Sequence, residues 1–246
     1  MSKTRKTYFI RLIGRCVVFV LCLLMVLFRR EEFELVKDLN FFRHFSVLHI
    51  LWGIWMLDMI FQLIPVKAHI SIGSQKQFLS LFRPIKEKVN YQKLKKYIID
   101  TTKSAYKVMI IWVLLTLVIS ALYLFGVIDA AIVLLVSAFF YVCDLICVLI
   151  WCPFRLIMGN KCCTTCRIFN WDHLMMFAPF LAVRGFYSWT LLGFSLLVFL
   201  IWELCVLLYP ERFWENSNMA LRCSECTDKL CTQYCRRLRK PQGIKF

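Results

Sequence analysis

The chain has little charge and few acidic residues. Only 19% of its 246 residues are charged and 15 are acidic, whereas 60% are hydrophobic. A typical soluble domain has about 25% charged residues. The mean hydropathy of +0.66 excludes intrinsic disorder, a collagen-like fibre and most soluble enzymes. The composition therefore predicts an integral membrane protein.

The sequence also lacks the short motifs of common catalytic sites. It contains no Walker loop, no dinucleotide-binding glycine motif, no H-E-x-x-H and no G-x-S-x-G. It has only four histidines. We expect His49 and His173 near opposite ends of their spans, whereas a transmembrane haem needs axial ligands at matching depth. These absences favour a protein that is not an enzyme and holds no haem.

The hydrophobic residues form runs long enough to cross a bilayer. A hydrocarbon core of about 30 Å needs roughly 20 helical residues. Four runs approach that length, at 9–28, 45–65, 108–128 and 130–152. The run 174–209 would extend about 54 Å as one helix, and Arg184 and Gly185 interrupt it. We divide it into a short helix, 174–187, either spanning or re-entrant, and a full span, 190–209. The predicted fold is all-α, with about six transmembrane helices.

The basic residues predict the orientation of these spans. The net charge is +16, with 31 lysines and arginines. In a six-span arrangement, 26 of these lie on the side of both termini. The other five are Arg29, Arg30, Lys37, Arg43 and Arg184. The positive-inside rule therefore favours an even number of spans, with both termini in the cytoplasm. Because topology explains the charge, we expect an anionic inner leaflet as the partner and no nucleic acid.

These assignments divide the chain into six segments. They are a two-span unit (1–65), a cytoplasmic basic amphipathic segment (66–107), a transmembrane hairpin (108–152), a Cys-rich loop (153–173), a transmembrane or partly re-entrant hairpin (174–209) and a Cys-rich basic tail (210–246). Within 66–107, we expect a short helix over Gln75–Phe82 that Pro84 ends. Asn90 is expected to cap a second helix lying on the inner leaflet. A solvated linker is the alternative.

Seven of the 13 cysteines lie in two short polar segments. The segments have the patterns C-C-x2-C and C-x2-C-x4-C-x3-C. One C-x2-C turn presents two thiolates to a single ion, and the hairpin 174–209 would return both segments to the same membrane face. We therefore predict a short cytoplasmic Cys-rich metal-binding segment with a four-thiolate site. Its expected ligands are Cys163, Cys166, Cys223 and Cys226, with Cys162, Cys231 and Cys235 as secondary candidates.

The reducing cytoplasm favours a metal over disulfides. Structural zinc that organises the cytoplasmic face for a partner protein is the leading hypothesis. An iron–sulfur cluster that passes electrons toward a quinone is the alternative, although the spacing does not match a ferredoxin. Thiol redox chemistry without a metal also remains open. Cys143, Cys147 and Cys152 could extend a thiol path toward this site, or could simply pack as small apolar residues.

Several ionisable residues lie within the predicted spans, where they are expensive and commonly functional. We expect Asp58, Asp144 and Glu203 in the inner half of the membrane, where they could line a shared polar cavity for a proton or cation. This arrangement would make the protein a transporter. The alternative is three carboxyl groups that each hydrogen-bond to a neighbouring helix. Arg11 and Arg15 in the first span are expected to snorkel toward the interface.

Overall fold

The computed structural model describes residues 3–65, 72–160, 163–226 and 230. Within these ranges the chain is helical, and its only β-pairing is an isolated bridge between Pro84 and Asn218. The α-helices are α1 (Lys3–Phe28), α2 (Val47–Gln62), α3 (Ile72–Gln75), α4 (Tyr91–Leu124), α5 (Ala130–Leu149), α6 (Pro153–Met158), α7 (Asp172–Phe177) and α8 (Phe186–Leu208). The prediction of an all-α fold is confirmed.

Four of the described helices, α1, α4, α5 and α8, are long and apolar enough to cross a membrane. At 1.5 Å per residue, α5 extends about 30 Å and α8 about 35 Å, which matches a hydrocarbon core. The apolar helix α2 has 16 residues and reaches only about 24 Å. The residues 174–187 do not form one α-helix, because α7 ends at Phe177 and a 3-10 helix follows over Ala178–Ala182.

The predicted amphipathic helix and the third span are one continuous helix. Asn90 caps it as expected, since its side chain accepts a hydrogen bond from the backbone N–H of Lys93 at 3.1 Å. With 34 residues, α4 extends about 51 Å, which is longer than the hydrocarbon core of a bilayer. The expected helix over Gln75–Phe82 is wrong in extent. It is replaced by α3 and a 3-10 turn over Leu79–Leu81.

The bundle buries aromatic residues inside and exposes aliphatic residues outside. Trp55 packs against Phe177 and Tyr141, with ring centroids 5.2 and 6.1 Å apart, in a core where Trp55 is fully buried. On α4, large apolar side chains such as Ile110 and Leu117 are more than half exposed. An aliphatic outer surface of this kind is compatible with lipid and unusual for a soluble monomer.

Two contacts close the end of the bundle where α1 ends. The turn before α8 packs directly on the segment after α1, because the N–H of Phe186 donates to the carbonyl of Asp38 at 3.2 Å. A Cβ atom on Gly185 would collide with the carbonyl oxygen of Val36. Asp129 caps α5 and pairs with Arg30 at 2.7 Å, and this hydrogen-bonded guanidinium lowers the pKa of Asp129.

Candidate functional site

Charged residues from three helices meet at the opposite end of the bundle. The N-terminal half of α1 and the C-terminal halves of α2 and α5 surround a cavity of about 290 Å³. We call this cavity the vestibule. Its lining includes Tyr8, Arg11, Arg15, Asp58, Phe61, Gln62, Ser74, Asp144, Leu145, Val148, Phe169 and Asp172. Polar side chains therefore surround a cavity next to membrane-length helices.

Arg15 connects the three helices at the centre of this site. One of its nitrogens, Nη2, lies 3.0 Å from Asp58 Oδ2, and Nη1 lies 2.6 Å from Asp144 Oδ2. Nη1 also donates to the carbonyl oxygen of Tyr141 at 2.8 Å, and the guanidinium lies 3.9 Å from the centroid of that ring. The Arg15 side chain is only 11% exposed. The expectation that Arg15 snorkels is therefore wrong, because two carboxylates and an aromatic ring hold it inside the bundle.

A buried histidine lies between two of the carboxylates. His173 Nε2 is 3.6 Å from Asp58 Oδ2, and Nδ1 is 3.3 Å from Asp172 Oδ1. Its side chain is 2% exposed. Two carboxylates at these distances stabilise positive charge on the imidazole. Arg15, Asp58, Asp144, His173 and Asp172 thus form one continuous chain of charged contacts.

The vestibule also contains a buried amide oxygen to which none of the described residues donates a hydrogen bond. Gln62 donates from Nε2 to Asp172 Oδ2 at 3.1 Å. Its Oε1 atom is buried and accepts no hydrogen bond from any described residue. Buried polar atoms are normally satisfied, so an atom of this kind requires an explanation such as water or an ion. The wall of the vestibule therefore has acceptor capacity that the described residues do not use.

Glu203 is not part of the vestibule. Its two carboxylate oxygens accept from Arg167 at 2.8 and 2.6 Å, and one of them also accepts from Trp171 Nε1 at 2.7 Å. Arg167 is 6% exposed in this pair. Of the three carboxyl groups predicted to share a cavity, the structure brings together Asp58 and Asp144, whereas Glu203 attaches the Cys-rich loop to α8.

The two C-x2-C segments adopt the same local turn. Cys163–Thr165 and Cys223–Glu225 are both single 3-10 turns. In each, the N–H of the second cysteine donates to the carbonyl of the first, from Cys166 to Cys163 at 3.0 Å and from Cys226 to Cys223 at 3.4 Å. Burial raises the pKa of the Cys166 thiol. A bound cation would therefore have to lower this pKa again to hold Cys166 as a thiolate.

The described residues contain no group of three or more His, Cys, Asp or Glu side chains arranged to hold a metal ion. Cys162, Cys231 and Cys235 lie outside the described residues. The four-thiolate site therefore remains a prediction.

The segment between α3 and Arg83 bonds to both Cys-rich regions. Lys76, 2% exposed, donates from Nζ to the carbonyl oxygens of Thr164 and Cys166 at 3.1 Å each. Arg83 accepts from the N–H of Met219 at 2.9 Å. The sequence predicted that the two regions meet at the base of the last hairpin. In the structure, the segment 76–83 contacts both regions and so joins them.

Four important residues were missed as site residues. Arg15 was interpreted as a snorkelling residue, His173 was considered as a possible haem ligand, and Lys76 and Arg167 were counted among the basic residues on the side of both termini. Only Arg15 had a usable signal, because an arginine well inside an apolar helix needs a counter-charge, and Asp58 and Asp144 were the available carboxylates. No protein-family model, curated protein or solved structure matches this chain.

Proposed function

We propose that this protein is an integral membrane transporter of a proton or small cation, with the vestibule as its binding site. The observation that supports it is the chain of charged contacts from Asp144 through Arg15 and Asp58 to His173 and Asp172 beside a cavity. Ionisable groups at membrane depth commonly form ion pathways and proton relays.

The charge balance favours a positive ion. The cluster has three partly buried carboxylates, one partly buried guanidinium and one buried imidazole, while Arg11 lies exposed at the edge of the cavity. With the imidazole protonated and the solvent-exposed Arg11 left out, these groups sum to a charge of about −1, so one added positive charge neutralises them. A proton on Asp144 would weaken its pair with Arg15 and leave the guanidinium with Asp58. Such an exchange of ion-pair partners is the kind of two-state element that transport requires.

Six crossings with both termini in the cytoplasm are part of this proposal. The residues 172–184 begin beside Asp58 at the vestibule and end at the turn that packs on Val36–Asp38. One short α-helix and one 3-10 helix thus connect the two ends of the bundle, at about 19 Å of combined rise. Together with α2, this segment supplies two short crossings beside the four long helices, and local bilayer thinning accommodates short crossings.

Ion flux into liposomes tests the proposal. The purified full chain is reconstituted with a pH-sensitive dye inside, and a membrane potential is imposed. We expect a proton flux above that of empty liposomes. Asp144→Asn should reduce this flux by at least about tenfold, which corresponds to about 1.4 kcal/mol, because an asparagine side chain cannot bind and release the proton. Asp100→Asn is the control, because Asp100 is exposed on the basic half of α4.

Two outcomes would contradict transport through the vestibule. The first is an absence of proton, sodium and potassium flux from a monodisperse preparation. The second is a flux that Asp144→Asn and Asp58→Asn both leave unchanged. Gel filtration of each variant before reconstitution separates a loss of flux from a loss of folding.

A thiolate metal site on the cytoplasmic face is a second candidate function, with zinc favoured over an iron–sulfur cluster. The identical turns of the two C-x2-C segments support it, because one such turn directs two sulfur atoms toward one ion. A zinc ion bound by Cys163, Cys166, Cys223 and Cys226 would hold the loop and tail together as a surface for a cytoplasmic protein partner.

Elemental analysis and a visible spectrum of anaerobically purified protein test this site. We expect one zinc per chain, and less than a tenth of it in the double variant Cys163→Ser, Cys226→Ser. The control is Cys16→Ser with Cys205→Ser, two cysteines on membrane helices. Iron with visible charge-transfer bands would favour the cluster, and a metal-free wild-type protein would eliminate both forms of the site.

A further inference from the structure

A second cavity, of about 250 Å³, lies beside the vestibule. Helices α4 to α7 surround it, and its lining is almost entirely apolar. The two cavities share Asp144, Val148, Phe169 and Asp172 in their walls. The second cavity, which we call the thiol cavity, is therefore adjacent to the vestibule, and Asp144 and Asp172 lie in the wall between the two.

Aromatic rings form much of the thiol cavity's wall. Trp112 on α4 lies with its ring centroid 4.8 Å from that of Phe140 and 6.0 Å from that of Phe154. Its indole N–H donates to the carbonyl oxygen of Met175 at 3.0 Å, which fixes the ring in place. Small-molecule sites commonly measure about 300–1,000 Å³ and combine an apolar lining with a few polar groups. At about 250 Å³ the thiol cavity is slightly smaller than that range, which suits a single substituted ring rather than a larger ligand.

The position of this cavity points to a ligand that arrives from the lipid. Trp112, Phe139 and Phe140 belong to membrane-length helices, and Phe139 is half exposed on the outside of α5. Arg155 also lines the cavity, and its N–H groups are the type of donor that a carbonyl oxygen on a ring accepts. An apolar ring with carbonyl oxygens therefore matches both the access route and the wall.

Five cysteines line the same cavity, namely Cys143, Cys147, Cys152, Cys163 and Cys166. Two of them, Cys147 in the last turn of α5 and Cys152 just before α6, lie close together in the wall where the chain leaves α5. Two thiols in contact can be oxidised together to a disulfide. The cavity thus combines a planar apolar binding surface with a source of two electrons.

We propose that the thiol cavity binds the ring of a membrane-borne quinone, and that Cys147 and Cys152 reduce it to the quinol. The two S–H bonds break and one S–S bond forms. The two electrons and two protons pass to the quinone oxygens. A dithiol reductant from the cytoplasm then regenerates both thiols by thiol–disulfide exchange. This activity does not depend on ion transport through the vestibule.

Quinone-driven loss of thiols tests the proposal. The full chain in nanodiscs is reduced, desalted without oxygen and mixed with a benzoquinone that carries a short alkyl tail. Every ring position of this quinone is substituted, so that thiols cannot add to the ring. We expect one quinol formed for every two thiols lost, and a Cys147–Cys152 disulfide by peptide mass spectrometry. Cys147→Ser and Cys152→Ser should each reduce the rate more than tenfold.

Matched variants separate the thiol pair from its surroundings. Cys16→Ser, which alters an exposed cysteine on α1 that does not line the thiol cavity, should leave the rate unchanged. Trp112→Ala should slow the reaction several-fold, whereas Trp151→Ala, at an exposed position beside Cys152, should not. Retention of all thiols with quinone, a disulfide between other cysteines, or equal losses of rate in Cys16→Ser and Cys147→Ser would each overturn the proposal.

Discussion

Arg15 and Asp144 are 129 positions apart in the sequence, yet Arg15 Nη1 lies 2.6 Å from Asp144 Oδ2. This pair joins the middle of α1 to the C-terminal half of α5, while the other guanidinium nitrogen reaches Asp58 on α2. One side chain thus determines how three helices approach one another at the vestibule.

Replacement of Arg15 by alanine should destabilise the fold strongly. The change leaves two partly buried carboxylates without their cation, and broken buried pairs lose about 3–5 kcal/mol in the free energy of unfolding. Chemical unfolding in detergent measures the change, with Arg11→Ala as the exposed control at about 0.5 kcal/mol or less. A loss below 1 kcal/mol for Arg15→Ala would show that the pair does not hold the helices together.

The triple variant Arg15→Met, Asp58→Asn, Asp144→Asn separates stability from function. Because it removes the charges together, we expect most of the stability to return. Ion flux should still be lost in this variant, as in Asp144→Asn, because positions 15, 58 and 144 no longer carry titratable side chains. Normal flux from a well-folded triple variant would assign these residues a structural role alone.

Replacement of Gly185 by alanine should destabilise the turn before α8. Its Cβ atom would meet the carbonyl oxygen of Val36, and overpacking of this kind commonly costs about 1–3 kcal/mol. Gly193→Ala on α8 is the matched control, because nothing lies within 4 Å of its added Cβ. In thermal unfolding, Gly185→Ala should have a lower midpoint temperature than Gly193→Ala and the unmodified protein. Equal midpoints for the two variants would contradict the close packing of this turn on the segment after α1.

Replacement of Glu203 by alanine should open the Cys-rich loop. The change leaves the guanidinium of Arg167 and the indole of Trp171 without their acceptor. We expect buried Cys166 to react at least several-fold faster with a maleimide, as measured by mass spectrometry. Glu215→Ala, at an exposed position, should leave the rate unchanged. Unaltered labelling in Glu203→Ala would mean that other contacts hold the loop.

Tags on the two termini should be protected from protease in intact cells. An even number of crossings places both termini on the same side, and the positive-inside rule makes that side the cytoplasm. Disruption of the membrane should expose both tags together. Cleavage of one tag alone in intact cells would contradict six crossings.

The helical prediction succeeded where the signal was local. Runs such as 130–152 are apolar over their whole length, and Asn90 precedes its helix as a cap. The sequence did not predict contacts between residues that are far apart along the chain. The sequence around Lys76 does not indicate that its ammonium group lies beneath Thr164 and Cys166.

The sequence by itself determined that this chain is helical and has helices long and apolar enough to cross a membrane, because about 20 apolar residues in a row are compatible with few other environments. It also identified Asp58 and Asp144 as carboxyl groups that are energetically costly within apolar helices and therefore need a partner. Only the tertiary structure decided what that partner is. An ion pair forms wherever packing brings two charges within a few ångströms, and helix packing brings Arg15 between these carboxylates and Glu203 beside Arg167.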